Sequence, residues 1–186
     1  MKAYIISDAD FKTDTYERLE KLLKNILRDA GADVTEKQVV RGELAHCMGC
    51  FGCWLKTPGE CVIKDGMTAI NRTAMTSDAV IYLCPVVFGQ ASANMKDVID
   101  RWLPNILPFF ITRPDGSTMH PPRYEDYPAV IMIGYGEDLT AEDARLFTDI
   151  TKKHRRNTEA LTYTGNDEEL AGQLRSVKLA RVGGSL

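Results

Sequence analysis

Long hydrophobic runs are missing from this sequence. The longest apolar stretch, Ala79 to Phe88, is about half of the ~20 residues a membrane-spanning helix requires. The start of the chain, MKAYIISDAD, places four apolar residues in a row before Ser7 and Asp8. That is too short for the apolar segment of a secretory leader. A basic excess is missing too: 23 Lys and Arg face 26 Asp and Glu, for a net charge of −3 and a pI near 5.7. A nucleic-acid-binding protein would carry a basic footprint. There is no G-x-G-x-x-G after a strand, no nucleophile–His–acid set among the three histidines, no internal repeat and no low-complexity tract. These absences predict a cytoplasmic protein with neither membrane nor nucleic acid as partner, in a compartment where thiols stay reduced.

What is present has the composition of an ordinary globular chain, 44% hydrophobic and 26% charged over 186 residues, which suits one α/β domain spanning 1–186. Lys2 to Ile6 reads as a buried strand, followed by a loop from Ser7 to Asp14. A helix is predicted over Thr15–Ala30, with Tyr16, Leu19, Leu22, Leu23, Ile26 and Leu27 on one face. Ala32–Val40 is a weaker strand. Asp65 is placed to cap a short helix, Met67–Met75. A central strand begins after Asp78 and is expected to break at Pro85.

Ala93–Leu103 is a predicted helix ended by Pro104. Residues 104–128 form a proline-rich excursion. Ala129–Ile133 is a strand leading into a Gly134-Tyr135-Gly136-Glu137 loop, Ala141–Asn157 a helix and Ala160–Thr164 a strand. Asp167 to about Val182 is a closing helix, with Gly183-Gly184 as a frayed tail. About five strand–helix alternations predict a doubly wound parallel sheet with helices on both faces. Ligands on such sheets sit at the carboxyl ends of the strands. Three loops leave those ends with unusual composition, Ser7–Thr15, Pro85–Ala93 and Gly134–Glu137, and they are expected to converge on one pocket.

Four of the five cysteines stand in one loop, residues 46–65, spaced C-x2-C-x2-C-x7-C: Cys47, Cys50, Cys53 and Cys61. Gly49 and Gly52 free the loop to wrap its thiols around a common centre, and Pro58-Gly59 can fold the chain back. The candidates are a metal cage, a redox thiol relay, or a loop of small buried residues. Cys84 is expected in the core and His46 is a further ligand candidate. Lys96 and Asp100, four apart on one helix, are expected to pair. The basic run Lys152, Lys153, His154, Arg155 and Arg156 reads as a solvated helix face.

The stretches CMGCFGCWLKTPGECVIKDGM and SDAVIYLCPVVFGQASANMKDVIDRWLP resemble the NADPH-dependent FMN reductase family of flavodoxin-like proteins. The nearer branch is the one that includes the iron–sulfur flavoproteins. The resemblance implies an α/β, flavodoxin-like, five-stranded sheet in the order 2-1-3-4-5. It also implies FMN as cofactor and NAD(P)H as reductant, with electrons passed to a small-molecule or protein acceptor. Pro85, Val86, Val87, Phe88, Gly89 and Gln90 would hold the flavin ring and ribityl chain through backbone groups. Gly134, Tyr135, Gly136 and Glu137 match the third flavin loop, with Tyr135 placed to flank the ring.

The cysteine loop resembles a motif that holds a [4Fe–4S] cluster. A homodimer or homotetramer is implied by similarity, with Met95–Trp102 and the excursion as candidate contacts. The first loop departs from the family pattern. Asp8 stands where a phosphate-binding serine belongs and Asp10 where an arginine belongs. Either both aspartates turn away while Lys12, Thr13 and Thr15 take the phosphate, or FMN binds weakly, or it has been lost. The last case would leave a non-catalytic redox- or metal-responsive protein on the same fold.

Overall fold

The computed structural model describes residues 1–154 and 158–184. Five strands, β1 (Lys2–Asp8), β2 (Asp33–Val39), β3 (Ala79–Val87), β4 (Ala129–Tyr135) and β5 (Thr158–Tyr163), pair in the order β2-β1-β3-β4-β5. Every one of these pairings is parallel. The central strand β3 is buried from Ala79 through Pro85 without alternation, because helices cover both faces and each side chain meets apolar neighbours.

One face carries α1 (Asp14–Asp29) and α6 (Asp167–Ser176), whose Leu19, Leu23, Leu27, Leu170 and Leu174 pack on Ile5, Ile81 and Ile131. The other carries α3 (Met67–Thr76), α4 (Ala93–Asp100) and α5 (Ala141–His154), with Met67, Ile70, Met95, Val98 and Phe147 on Ile6, Val80, Tyr82 and Met132. A single turn, α2 (Gly52–Leu55), lies within the cysteine loop. Among the described residues, no helix is long and apolar enough to cross a membrane.

Several boundaries differ from the sequence reading. The strand β3 does not break at Pro85. It runs on to Val87 and turns back on a two-residue strand, Gln90–Ala91, which pairs with it antiparallel. Proline's fixed φ suits extended backbone, and its missing donor falls near the strand end. The first loop is shorter than expected, because β1 continues to Asp8 and Ala9–Phe11 form a 3-10 turn. Gly134 and Tyr135 belong to β4.

α4 stops at Asp100, with a 3-10 turn at Leu103–Asn105 beyond it. α6 stops at Ser176, so Val177 and Leu179 pack against the core outside a helix. The tail is not frayed as far as it is described: Val182–Gly183 pairs antiparallel with Asp126–Tyr127 of the excursion. α5 is described to His154, and Arg155, Arg156 and Asn157 lie outside the described residues. Lys152, Lys153 and His154 are exposed.

Candidate functional site

The carboxyl ends of β1, β3 and β4 do come together, and the contacts between them are specific. Asp8, fully buried, ends β1. Its carboxylate accepts hydrogen bonds from Ser92 Oγ (2.6 Å), Asn94 Nδ2 (2.9 Å) and the Asp10 amide (3.0 Å). The Asp10 carboxylate accepts from Asn94 Nδ2 (2.9 Å) and the Arg41 amide (3.1 Å). The first loop is thus tied to the start of α4 and to the segment after β2. A buried carboxylate needs such donors, each worth about 1.5–3 kcal/mol.

Both aspartates direct oxygens at partners outside α1. Thr13 caps α1, its Oγ1 accepting the Tyr16 amide at 3.3 Å. Lys12 is exposed and Thr15 half-buried. Ser92 and Asn94 were not singled out from sequence. Their signal was there, a serine directly before an apolar-periodic segment, the pattern of a helix cap.

The Pro85–Gln90 segment is a hairpin with Phe88 and Gly89 at its tip, both with positive φ (49° and 72°). Two successive left-handed residues make the tight turn that matches strand twist. Glycine adopts this freely, whereas phenylalanine does so under strain. Phe88 is also 90% exposed, so neither packing nor solvation accounts for it. Gly89 lies under α5, where a Cβ would come within 2.4 Å of Leu146.

The third loop is corrected in two respects. Tyr135 is buried, its ring 5.8 Å from that of Tyr16, and its hydroxyl donates to the Phe11 carbonyl at 3.1 Å. Burial, then neighbouring Tyr16 and Asp8, pushes its phenol well up. It supports the first loop from beneath and does not present its ring at the surface. Gly134 is small because α5 packs on it: a Cβ there would lie 2.7 Å from Phe147 Cδ1 and 2.9 Å from Val86 Cγ2. Gly134→Ala is therefore expected to cost about 1–3 kcal/mol through overpacking, readable in urea unfolding. Gly136 has ordinary clearance, its nearest neighbour being Leu139 at 3.7 Å, and Glu137 is exposed.

In the cysteine loop, Cys47 and Cys50 are exposed, Cys53 is buried and Cys61 half-buried, all as free thiols. Burial, then Cys61, Cys47 and Cys50, pushes the Cys53 thiol up. The four thiols share a neighbourhood, yet among the described residues no group of three or more His, Cys, Asp or Glu stands close enough to hold a metal ion. As they stand, the four thiols form no single-ion site. His46 bonds Asp97 at 2.6 Å, Cys84 is fully buried inside β3, and Lys96 pairs with Asp100 at 2.6 Å.

The loop is anchored by Arg101, which is 1% exposed. Its guanidinium forms a bidentate pair with Asp65, one arm at 2.9 Å, and also donates to the Ala45 carbonyl. Asp65 also accepts the amides of Ala45 and Met67, at 3.0 and 3.1 Å. Its role at the start of α3 is therefore shared with a buried ion pair that residue spacing did not reveal.

Two cavities flank this region. One, of about 640 Å³, lies between α3, Pro58–Cys61 and the excursion. The other, of about 530 Å³, lies between α4 and α5. Neither takes a lining residue from the first or third loop, so the three loops meet without forming the shared pocket expected of them at either cavity.

Residues 12–115, more than half of the chain, match the family described as NADPH-dependent FMN reductase. The chain belongs to this family. An iron–sulfur flavoprotein of Archaeoglobus fulgidus is 38% identical over 86 residues, 46% of this chain and 38% of that protein. Another, from Methanocaldococcus jannaschii, is 31% identical over 101 residues, 54% of this chain and 50% of that one. This FMN reductase family member thus matches half or less of the length of these curated relatives.

Among solved structures, the NAD(P)H:quinone oxidoreductase from Methanothermobacter marburgensis superposes with a TM-score of 0.67 at 12% identity, covering 94% of each chain. An azoreductase from Bacillus anthracis gives 0.60 at 12% identity, covering 94% of this chain and 93% of that one. These similarities are similarities of fold.

Proposed function

We propose that this family member is an FMN-dependent oxidoreductase, residues 1–186 forming one domain, that moves electrons from NAD(P)H through flavin to a small acceptor or redox partner. The observation that carries the reading is the β3 hairpin. It lies within the matched span, at the carboxyl edge of a doubly wound sheet, and holds Phe88 exposed on left-handed backbone. A solvent-facing hairpin tip of this kind presents main-chain groups and apolar surface to a flat heterocycle.

The residues fit a flavin at both ends. Pro85–Gln90, Gly136 and Glu137 would supply backbone contacts to the ring. Lys12, Thr13 and Thr15 would address the phosphate at the start of α1, whose dipole favours an anion. The carboxylates of Asp8 and Asp10 are engaged by Ser92, Asn94 and the Arg41 amide. Bound FMN would accept a hydride and release electrons, and the chain's part is to bind it, orient it and set the charge around it. A homo-oligomer formed through α4 and the excursion belongs to the same reading. No step is assigned to the cysteines.

A second reading is favoured by one observation: the loop that would address the phosphate carries two carboxylates, Asp8 and Asp10, with backbone amides and neutral side chains as their hydrogen-bond donors. A chain that had lost its flavin would be a redox- or metal-responsive protein. Titrating FMN into protein purified anaerobically separates the two. Saturable quenching of flavin fluorescence, with NADPH bleaching the bound flavin, is the expected result. Unquenched flavin at millimolar protein would leave the second reading standing.

A further inference from the structure

The cavity between α4 and α5 has walls of a different character from any surface described so far. Its floor is Met132 of β4 and Phe147 of α5, only 4% and 2% exposed. Ile150 of α5 closes one side, and Trp102 and Ile106, beyond α4, close the other. The Gln90–Ala91 strand forms a further wall. Polar groups gather at the rim, where Gln90 and His154 are exposed and Lys96 is already neutralised by Asp100 at 2.6 Å. At about 530 Å³, the space falls inside the range of small-molecule sites, roughly 300–1,000 Å³, which combine an apolar lining with a few polar groups.

We propose that this cavity binds a neutral, planar, bicyclic aromatic molecule carrying one polar edge. Planarity follows from the walls: a flat ring reaches the deep Met132 and Phe147 floor between two helices. There it gains edge or offset contacts with Trp102 and Phe147, and a sulfur contact with Met132. Neutrality follows from the rim, whose Lys96 and Asp100 cancel each other and leave hydrogen bonding to Gln90 and His154. The site goes beyond the flavin reading: it takes no lining residue from the first or third loop, and it shares only Gly89 and Gln90 with the hairpin of that reading, so the probe is titrated with and without FMN to separate the two.

The test is methionine-methyl NMR on the full chain, with 2-naphthol as the probe, with and without FMN. The Met132 methyl is expected to shift saturably in both samples, while Met1, 38% exposed at the amino end of the sheet, stays in place. Ile150→Trp, which adds bulk to one wall, is expected to weaken the probe at least tenfold. Leu55→Trp, on the exposed cysteine loop, should change it less than twofold. The fully buried Met67 and Met95 report whether each variant is folded, and Ala91→Leu replaces Ile150→Trp if that variant is not. The proposal is overturned if Met132 does not move up to the solubility limit of the probe. It is equally overturned if Met1 moves instead, or if filling the cavity leaves the titration unchanged.

Discussion

Replacing Arg101 by methionine is expected to cost about 3–5 kcal/mol of unfolding free energy. At roughly 2–4 °C per kcal/mol for a chain of this size, the melting temperature should fall by on the order of 10 °C. The cost arises from what is left behind. Asp65, its side chain 15% exposed, would keep a charge in a largely enclosed place with two amides and no cation. The pair also joins three segments, since Asp65 accepts amides from Ala45 and Met67 while Arg101 reaches Ala45 from just past α4. A double-mutant cycle with Asp65→Leu isolates the coupling, and the double variant should recover part of the loss.

The pair has a signature in acid as well. Burial raises the Asp65 pKa, but the Arg101 guanidinium and two backbone amides outweigh it and hold the carboxyl below its usual range. A depressed folded-state pKa stabilises fully above the unfolded value of about 3.9, and that stability fades as pH falls through the folded value. The native protein should therefore lose stability below about pH 4 more steeply than Arg101→Met. Equal slopes, or an unchanged melting temperature, would refute the assignment.

Asp10→Arg is expected to tighten FMN binding by tenfold to a hundredfold. Exchanging a negative for a positive charge beside a phosphate dianion is worth several kcal/mol at an effective dielectric of about 20, and about a third of that at an exposed position such as this one. The gain should shrink as salt rises, because exposed charges are screened beyond ~10 Å at 0.1 M. The substitution removes the Asn94 and Arg41 amide bonds to Asp10, so a stability loss of about 1 kcal/mol should accompany it. Asp10→Asn, which removes charge but keeps an acceptor, should give an intermediate affinity. Affinity that stays within twofold across the series would place the phosphate elsewhere.

The layered sheet was legible because its signals are local. Buried strands read as apolar runs, and α1 announces itself by Leu19, Leu23 and Leu27 at helical spacing. What escaped were contacts between residues far apart in sequence. Asp8 was recognised as out of place in a phosphate loop, but its partners Ser92 and Asn94 come from the crossover after β3, more than 80 residues away, and no pattern links them to it. Gly134 and Tyr135 looked like a flexible ligand loop because glycine permits close approach; the close approach is by Phe147, a core packing event. The boundary at Pro85 failed because proline ends helices far more firmly than it ends strands. Arg101 and Asp65 carry no spacing signature, since their pairing exists only once the cysteine loop is folded over α4.

Arg181 donates to the carbonyls of Met75 and Ser77 at the end of α3 and to that of Asp126 in the excursion. Directly after it, Val182–Gly183 pairs with Asp126–Tyr127, and the Gly184 amide bonds the Glu125 carbonyl. The end of the proline-rich segment is therefore latched to α3 through the tail. Any swing of its end at Glu125–Tyr127 has to shear the short ribbon and release the Asp126 carbonyl from a guanidinium fixed to the end of α3 in one event. Gating by this segment would thus be all-or-none and slow, not a gradual flutter.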